Sequence, residues 1–135
     1  MRRGAPGREN SRVIRLGTIV LGAEDVDRAG AFWAEVFGYE TIRFPGSANE
    51  FTILVSPERV GTRIAVQRSD TPVQDQPRVH LDLVVDSAEE QSAEIDRLVE
   101  LGATRVPWSY RDDADFVVLA DTEGNRFCIV DASHG

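Results

Sequence analysis

Residues 13–38, "VIRLGTIVLGAEDVDRAGAFWAEVFG", combine a strand pattern with a helix pattern. The run at 13–21 is apolar and rich in β-branched residues, which predicts a strand. Asp25 has the side chain of a helix N-cap, and Gly38 suits the left-handed residue that ends a helix. Between them, apolar residues recur at helical spacing, namely Val26, Ala29, Trp33, Val36 and Phe37. The stretch therefore predicts a strand followed by an amphipathic helix.

Three short strand-like runs follow this unit, at 39–44, 51–55 and 63–68. The turn-forming stretches "PGSAN" and "SPERVGT" separate them. Residues 13–68 therefore predict a βαβββ module, which we call module one.

The same order of patterns returns in the second half of the chain. A strand pattern at 78–85 leads to Ser87 and Glu90, which have the spacing of a capping box, and Gly102 closes the helix. Three further runs follow, at 104–110, 115–120 and 126–130. A shift of 62 residues places Thr18 on His80 and Asp25 on Ser87, and a shift of 63 places "GTRIAV" on "GNRFCI". This internal repeat predicts module two at 78–131, joined to module one by a polar linker at 69–77.

The two modules predict an α+β fold. Neither module alone could bury both a helix stripe and a sheet face, so we expect both to share one core in a single domain over 13–135. The strands should form a curved mixed sheet, a half-barrel with a trough on one side and the helices on the outer face. The first twelve residues carry four arginines and one glutamate among Gly and Pro, and predict a disordered basic leader at 1–12.

Strand alternation assigns polar side chains to the trough. In module two, Val79, Leu81, Leu83 and Val85 should pack under the helix, which leaves Arg78, His80 and Asp82 on the other face. By the same alternation, the trough receives Thr18 and Val20, then Arg63, Ala65 and Gln67, then Arg126 and Cys128. Trp108 and Tyr110 should share a strand face beside the trough, where aromatic rings could stack on a planar ligand. The predicted ligand-binding residues are Thr18, Gln67, His80, Asp82, Trp108, Tyr110 and Cys128.

Composition narrows the function classes. The net charge is −8, and since the leader carries +3, residues 13–135 carry −11. An acidic body disfavours nucleic acid and anionic lipid and suits a cationic or neutral partner. All 15 basic residues are arginine, which excludes lysine bases and Schiff-base chemistry. A single cysteine and the lack of a signal-peptide pattern or a run of about 20 apolar residues predict a cytoplasmic protein without a membrane partner.

Four motifs resemble the vicinal oxygen chelate superfamily. "EDVDRAGAFWAEVFGYE" resembles the first-helix signature of that superfamily, and "DTEGNRFCIVD" resembles its closing hairpin. With "RVHLDL" and "LVELGA", they are similar to the small glyoxalase and bleomycin-resistance branch over about residues 14–131. The resemblance implies paired βαβββ modules and a homodimer. It also implies either a divalent metal that polarises a substrate or a metal-free site that sequesters a drug.

The metal site of that superfamily takes one ligand from each of the first, fourth, fifth and eighth strands. Carried onto this chain, these positions fall on Thr18, on Ala65 or Gln67, on His80 and on Cys128. Only His80 matches, and a carboxylate is missing from the set, so the sequence predicts no metal cofactor. If a metal binds, we expect His80 with Gln67 or Cys128 as ligands.

Two hypotheses for function remain at this point. The first is metal-independent binding of a small cationic or neutral aromatic molecule in the trough. The second is an enzyme, a lyase, isomerase or dioxygenase-like protein, with an atypical metal site or with His80 as the acid or base. His80 is the best candidate for a catalytic residue, and the sequence leaves open whether any reaction is catalysed.

Overall fold

The computed structural model describes residues 13–134, so the predicted leader at 1–12 lies outside the described residues. Module one contains β1 (Thr18–Ala23), α1 (Val26–Phe37), β2 (Glu40–Ile42), β3 (Phe51–Val55) and β4 (Arg63–Arg68). Module two contains β5 (Leu81–Val85), α2 (Ala88–Leu101), β6 (Thr104–Arg105), β7 (Phe116–Ala120) and β8 (Arg126–Asp131), followed by a 3₁₀ turn at Ala132–His134. The predicted order of two βαβββ modules is confirmed.

Each module forms its own four-stranded sheet, where the sequence predicted one curved sheet. The strand orders are β1-β4-β3-β2 and β5-β8-β7-β6. In both sheets the first strand pairs in parallel with the last, and the remaining pairs are antiparallel. β1 and β5 are outer strands of their own sheets and do not pair with each other, so the two sheets stay separate.

The predicted helix caps are confirmed. The Asp25 carboxylate accepts a hydrogen bond from the Arg28 backbone N–H at 3.0 Å, and Gly38 follows α1 with a φ of +67°. Ser87 Oγ accepts from the Glu90 N–H at 3.1 Å, while the Glu90 carboxylate accepts from the Asp86 N–H at 2.8 Å. Each cap satisfies N–H groups that have no partner inside the helix.

The modules share one hydrophobic core between the helices and the sheets. Trp33 from α1 and Ile95 and Leu98 from α2 are buried there with Phe127 and Ile129 from β8. The Trp33 ring meets the Phe127 ring edge to face, with centroids 5.0 Å apart. Burial of these rings and aliphatic side chains supplies the main stabilising free energy of the domain.

Several predicted strands differ from the structure: the run at 13–21 is a strand only from Thr18 and extends to Ala23, and the run at 39–44 is a strand only over Glu40–Ile42. Two further shortenings concern site residues. The run at 104–110 is a strand only over Thr104–Arg105, because Pro107 has no N–H to continue the ladder. The run at 78–85 is a strand only from Leu81, which pairs with Phe127 near the start of β8. Val79 therefore lies outside the sheet and is 80% exposed, so its predicted packing under α2 is wrong.

Within residues 13–134, no helix has the length and apolar character needed to span a membrane.

Candidate functional site

A groove of about 570 Å³ lies between the two modules. One wall is the unpaired edge of β1, from Ile19 to Glu24, and the opposite wall is the segment Val79–Leu81. The linker between the modules contributes Ser69 and residues 71–74 and 77. The groove exists because β1 and β5 are both edge strands, and no backbone ladder closes the space between them. Its volume is in the range of small-molecule sites, about 300–1,000 Å³.

Side chains in the groove are apolar with a few polar groups among them. The buried Trp33 ring and the Phe127 ring line it, and Val73 and Val79 add exposed apolar surface. Polar groups are supplied by Ser69, Thr71, Gln74, His80, Asn125 and Arg126. An apolar surface with a few fixed polar groups is typical of sites that bind a small organic molecule.

Arg126 carries the positive charge of the groove wall. Its guanidinium donates to the Gly124 carbonyl at 3.0 Å and to the Asp75 carboxylate at 3.2 Å. The buried Nε atom has no hydrogen-bond acceptor among residues 13–134. The side chain is therefore held between the closing turn of module two and the linker.

The turn at 121–125 fixes the end of the groove by docking onto module one. Glu123 accepts hydrogen bonds from the N–H of Glu24 at 2.6 Å and of Asp25 at 3.3 Å, and forms an ion pair with Arg28 at 2.9 Å. In the same turn, the Asn125 amide donates to the Gly22 carbonyl at 3.2 Å. These contacts cross between the modules and hold the two walls of the groove at a set distance.

The turn also fixes Trp33. Asp121, which is buried, accepts from Trp33 Nε1 at 3.0 Å through one carboxylate oxygen and from the N–H groups of Glu123 and Asn125 through the other. Gly124 has a φ of +91°, a conformation that glycine adopts without strain. Asp121 therefore holds both the turn and a contact to the core that the sequence did not reveal.

A second group of polar residues lies on the open face of the module two sheet. His80 Nε2 is 3.0 Å from Asp82 Oδ1. Asp82 is the register partner of Cys128 on the neighbouring strand β8. One potential ligand atom from each of His80, Asp82 and Cys128 lies within 4.8 Å of the other two. The His80 and Asp82 side chains are exposed and Cys128 is buried beneath them.

The Cys128 thiol is neutral at physiological pH. Burial raises its pKa to about 11. The nearby Asp82 carboxylate adds to the shift because it repels a thiolate and accepts a hydrogen bond from the thiol. Since the thiolate is the nucleophile, Cys128 is not activated for covalent catalysis.

Module one places its predicted site residues, Thr18 and Gln67, apart from each other. Thr18 Oγ1 accepts a hydrogen bond from Arg63 Nε at 3.1 Å. Thr18 pairs with Arg63 and Gly22 pairs with Gln67, so Thr18 and Gln67 are four residues apart along the sheet, about 13 Å. Of the seven predicted ligand-binding residues, His80 lines the groove and Asp82 lines a smaller cavity of about 400 Å³ beside α2.

Strand pairing also resolves the register left open at the fourth strand. Val20 pairs with Ala65 as Asp82 pairs with Cys128, so Ala65 rather than Gln67 is the counterpart of Cys128. Ala65 is 1% exposed and offers only a methyl group. A divalent metal held by all four strands does not fit this donor set, because Ala65 has no donor atom and the Arg63 guanidinium repels a cation beside Thr18.

Trp108 and Tyr110 do not share a strand face, which corrects the prediction from sequence. Both follow the end of β6, and the Tyr110 hydroxyl accepts a hydrogen bond from the Val118 N–H at 2.8 Å. The Tyr110 ring packs on Phe116 with centroids 5.5 Å apart. Tyr110 thus packs along β7, and neither aromatic lines the groove.

Sequence reasoning missed the linker as a groove wall. The linker was interpreted as a polar connector, but Pro72, Val73 and Pro77 line the groove. Three apolar or rigid residues in a nine-residue polar segment were the available signal. Glu123 was also not predicted as a groove residue, since its position depends on how module two docks onto module one, whereas strand alternation had assigned Arg126 to the trough.

Comparison with known proteins gives one family and a consistent fold. A sequence model of the glyoxalase-like domain family matches residues 18–130. Fosfomycin resistance protein FosX from Listeria monocytogenes has 20% identity and a TM-score of 0.68, with 90% of this chain and 93% of FosX covered.

Two further solved structures share the fold. A glyoxalase/bleomycin resistance protein/dioxygenase family enzyme from Burkholderia phytofirmans has 21% identity and a TM-score of 0.67, over 87% of this chain and 98% of its own. A possible glyoxalase from Bacillus cereus has 17% identity and a TM-score of 0.65, over 87% and 99%. Among proteins with curated functions, none matches this sequence.

Proposed function

Because the chain belongs to the glyoxalase-like domain family, we propose that it binds a small cationic or neutral aromatic molecule in the groove between its modules. The observation that carries this proposal is the groove itself, with about 570 Å³ of space beside the Trp33 and Phe127 rings. Binding there requires no metal, because the recognition groups are apolar side chains and hydrogen-bond donors and acceptors. We place this activity in the cytoplasm, where the one cysteine stays reduced.

Charge around the groove supports this ligand class. Glu24 and Glu123 line it beside a single arginine, Arg126, so the carboxylates outnumber the guanidinium. The whole chain carries −8, which raises the local concentration of cations and lowers that of anions. A planar ring against the exposed Val73 and Val79 side chains would bury apolar area, and a polar substituent could reach His80 or Gln74 on the groove wall.

Calorimetric titration with a panel of aromatic metabolites, each cationic, neutral or anionic, tests the proposal. We expect saturable binding of one or more cationic or neutral compounds and much weaker binding of anionic analogues. Val79→Trp should block the groove without touching the core, since Val79 is 80% exposed. Val60→Trp is the matched control, because Val60 is 65% exposed and lies outside the groove.

Loss of binding in Val79→Trp with binding kept in Val60→Trp would support the groove as the site. Equal affinities in both variants, or no saturable binding across the panel, would rule it out.

One observation favours the second candidate function, an enzyme. The 3.0 Å contact of His80 with Asp82 orients an imidazole at the groove wall, as a carboxylate orients a general base. If His80 moves a proton in a bound molecule, His80→Gln should lower turnover and leave binding in place. Single-turnover measurement with any compound that the titration identifies distinguishes the two functions.

We also propose a homodimer. The exposed faces of both sheets present apolar side chains, with Val20 53% and Val84 61% exposed. A second copy would cover this surface. Sedimentation velocity should give twice the monomer mass of 14.9 kDa, and Val20→Glu with Val84→Glu should restore the monomer.

A further inference from the structure

The Arg126 guanidinium in the groove wall has one edge that is only half used. Nη1 donates to the Gly124 carbonyl at 3.0 Å, and Nη2 donates to Asp75 Oδ1 at 3.2 Å. Nε shares the Nη2 edge of the planar group, and it is buried without an acceptor in the described part of the chain. An unsatisfied donor on a buried charged group raises the free energy of the protein. An acceptor that reached both Nε and Nη2 would therefore be bound favourably.

The acceptor that fits this edge best is a carboxylate. Its two oxygens match the two parallel N–H groups of the guanidinium, and such a charge-assisted pair is stronger than hydrogen bonds between neutral groups. Asp75 contacts the edge through one oxygen and through Nη2 alone. A carboxylate bound through both oxygens would also satisfy Nε.

Asp75 is a weak occupant of this edge. Its side chain is 86% exposed, whereas that of Arg126 is 18% exposed. An ion pair with one solvated partner contributes little to stability, because water replaces the arginine around the released carboxylate. Arg126 lines the groove and Asp75 belongs to the linker beside it. A ligand in the groove can therefore replace Asp75 without disturbing the core.

A ligand that brings a carboxylate to this groove must also bring a positive charge. Glu24 and Glu123 line the groove, and the whole chain carries −8, so a purely anionic molecule is repelled. Glu123 already accepts hydrogen bonds from two backbone N–H groups and from Arg28. Glu24, which is exposed, is thus the carboxylate that can pair with a cationic group of the ligand.

One turn holds both charges at the same end of the groove. The Glu24 N–H donates to the Glu123 carboxylate, and Arg126 Nη1 donates to the carbonyl of the next residue, Gly124. The turn therefore fixes a carboxylate after the end of β1 and a guanidinium at the start of β8. The exposed side chains of Val73 and Val79 provide the apolar surface of the groove.

We propose that the groove selects aromatic zwitterions. The ligand carboxylate binds Nε and Nη2 of Arg126 in place of Asp75, and the ligand ammonium lies beside Glu24. This inference rests on the proposed function and names the ligand class for it, since a zwitterion has no net charge. Arg126 then determines specificity, and Asp75 is an internal competitor for the ligand.

Calorimetric titration with two zwitterions of different charge spacing tests the proposal. The probes are L-phenylalanine and 4-(aminomethyl)benzoate, each with its methyl ester, which is a cation, and its N-acetyl derivative, which is an anion. At least one zwitterion should bind about 10-fold or more tightly than its own ester and its own N-acetyl derivative. The ester lacks the carboxylate for Arg126, and the N-acetyl derivative lacks the ammonium for Glu24.

Variants of the ion pair separate ligand recognition from a merely structural role. Arg126→Met should weaken binding of the preferred zwitterion about 10-fold and leave the affinity for the ester unchanged or higher. Arg126→Lys should give an intermediate loss, because lysine keeps the charge without the planar edge. Asp75→Ala should strengthen zwitterion binding, since the competitor is gone, whereas loss of a purely structural contact would weaken binding of every probe.

Arg111→Met and Asp113→Ala are the matched controls. These residues form an exposed ion pair outside the groove, so neither substitution should change any affinity. Circular dichroism of each variant confirms that it folds.

Three results would overturn the inference: zwitterions that bind no better than their esters or N-acetyl derivatives, a zwitterion preference that survives Arg126→Met, or weaker zwitterion binding by Asp75→Ala. Failure of the inference and failure of the proposed function are distinguishable. If other aromatic compounds bind and Val79→Trp blocks them, the groove is a binding site and only the zwitterion preference is wrong. If no aromatic compound binds, the proposed function itself fails.

Discussion

The two modules share their backbone plan and differ in the side chains on the open face of each sheet. Val20 and Ala65 in module one occupy the positions of Asp82 and Cys128 in module two. Thr18 is the counterpart of His80 at the 62-residue shift. Module one therefore has an apolar pair and a threonine bound to Arg63, where module two has three metal-ligand types. The repeated backbone preserves strand pairing, while the exposed face can change without cost to the core. We infer that module two supplies polar side chains to the groove, among them His80, and that module one forms the opposite wall.

The comparison extends to the core, where the effect of a substitution should be largest. Trp33 in α1 and Ile95 in α2 are counterparts at the 62-residue shift, and both are buried. Trp33→Ala should lower the free energy of unfolding by about 4 kcal/mol and Ile95→Ala by about 3 kcal/mol. Trp33→Ala costs more because it also leaves the buried Asp121 carboxylate without the indole N–H. Urea denaturation followed by circular dichroism measures both, and a smaller loss for Trp33→Ala would contradict the ranking.

The contact between the modules should give the next largest effect. Glu123→Ala removes the acceptor of two backbone N–H groups and of Arg28, and we expect a loss of about 2 kcal/mol. Glu123→Gln keeps one carbonyl acceptor and should lose less than half as much. Thermal denaturation compares the variants with wild type. Equal stability of Glu123→Ala and wild type would show that the modules are held together by the core alone.

A smaller, pH-dependent effect is expected at the other end of α1. Arg97 from α2 donates to the carbonyls of Glu35 and Val36 at 3.2 and 3.0 Å and pairs with Glu94. Arg97→Met should cost about 1 kcal/mol at neutral pH. The hydrogen bond from Arg97 lowers the pKa of Glu94 below its ordinary value of 4.5.

The sign of the pH dependence follows from this shift. A lowered carboxyl pKa adds stability above pH 4.5, and this contribution is lost as the pH falls through the pKa of the folded state. The stability difference between wild type and Arg97→Met should therefore narrow between about pH 5 and pH 3. Urea midpoints measured across this range provide the check, and a difference that widens in acid would contradict the assignment.

The smallest effects should come from the open face of module one. Thr18→Val and Gln67→Ala change exposed or half-buried side chains and should each alter stability by less than about 0.5 kcal/mol. Neither should alter ligand affinity at the groove, because neither residue lines it, whereas His80→Ala removes a polar group from the groove wall. Weaker ligand binding by Thr18→Val would mean that the open face of module one also contributes to the site, which would remove the asymmetry between the modules.

Local signals in the sequence predicted the elements well. The bounds of β3 and β4, the caps Asp25 and Ser87 and the helix ends at Gly38 and Gly102 agree with the structure because each depends on residues close in the chain. The end of β6 was a local error, since Pro107 was available as a signal. The repeat itself predicted the order of elements in both modules and which positions of the two modules correspond.

The groove and the pairing of Asp82 with Cys128 depend on distant residues, and alternation along a strand could not place them. Cys128 meets Asp82 because β5 pairs with β8 in a register that joins residues 46 positions apart, and only the folded sheet fixes that register. The groove depends on how far β1 stands from β5, which Glu123 and Arg97 set through contacts between the modules. Alternation did place His80 and Asp82 on one face as ligand-binding residues, because they are close in the chain, and their side chains are 3.0 Å apart.

The parallel pairing of the first and last strand in each sheet has a consequence for biosynthesis. β5 has no partner until β8 has left the ribosome, because β8 is its only neighbour in the sheet. The sheet of module two can therefore be completed only when nearly the whole polypeptide has been made. All four strands of module one are available for pairing once Arg68 has been translated and has emerged. Long-range closure of this kind slows folding and exposes unpaired backbone to aggregation. A nascent chain arrested before residue 126 would hold one sheet with all four strands and one sheet without its last strand, with the shared core still incomplete.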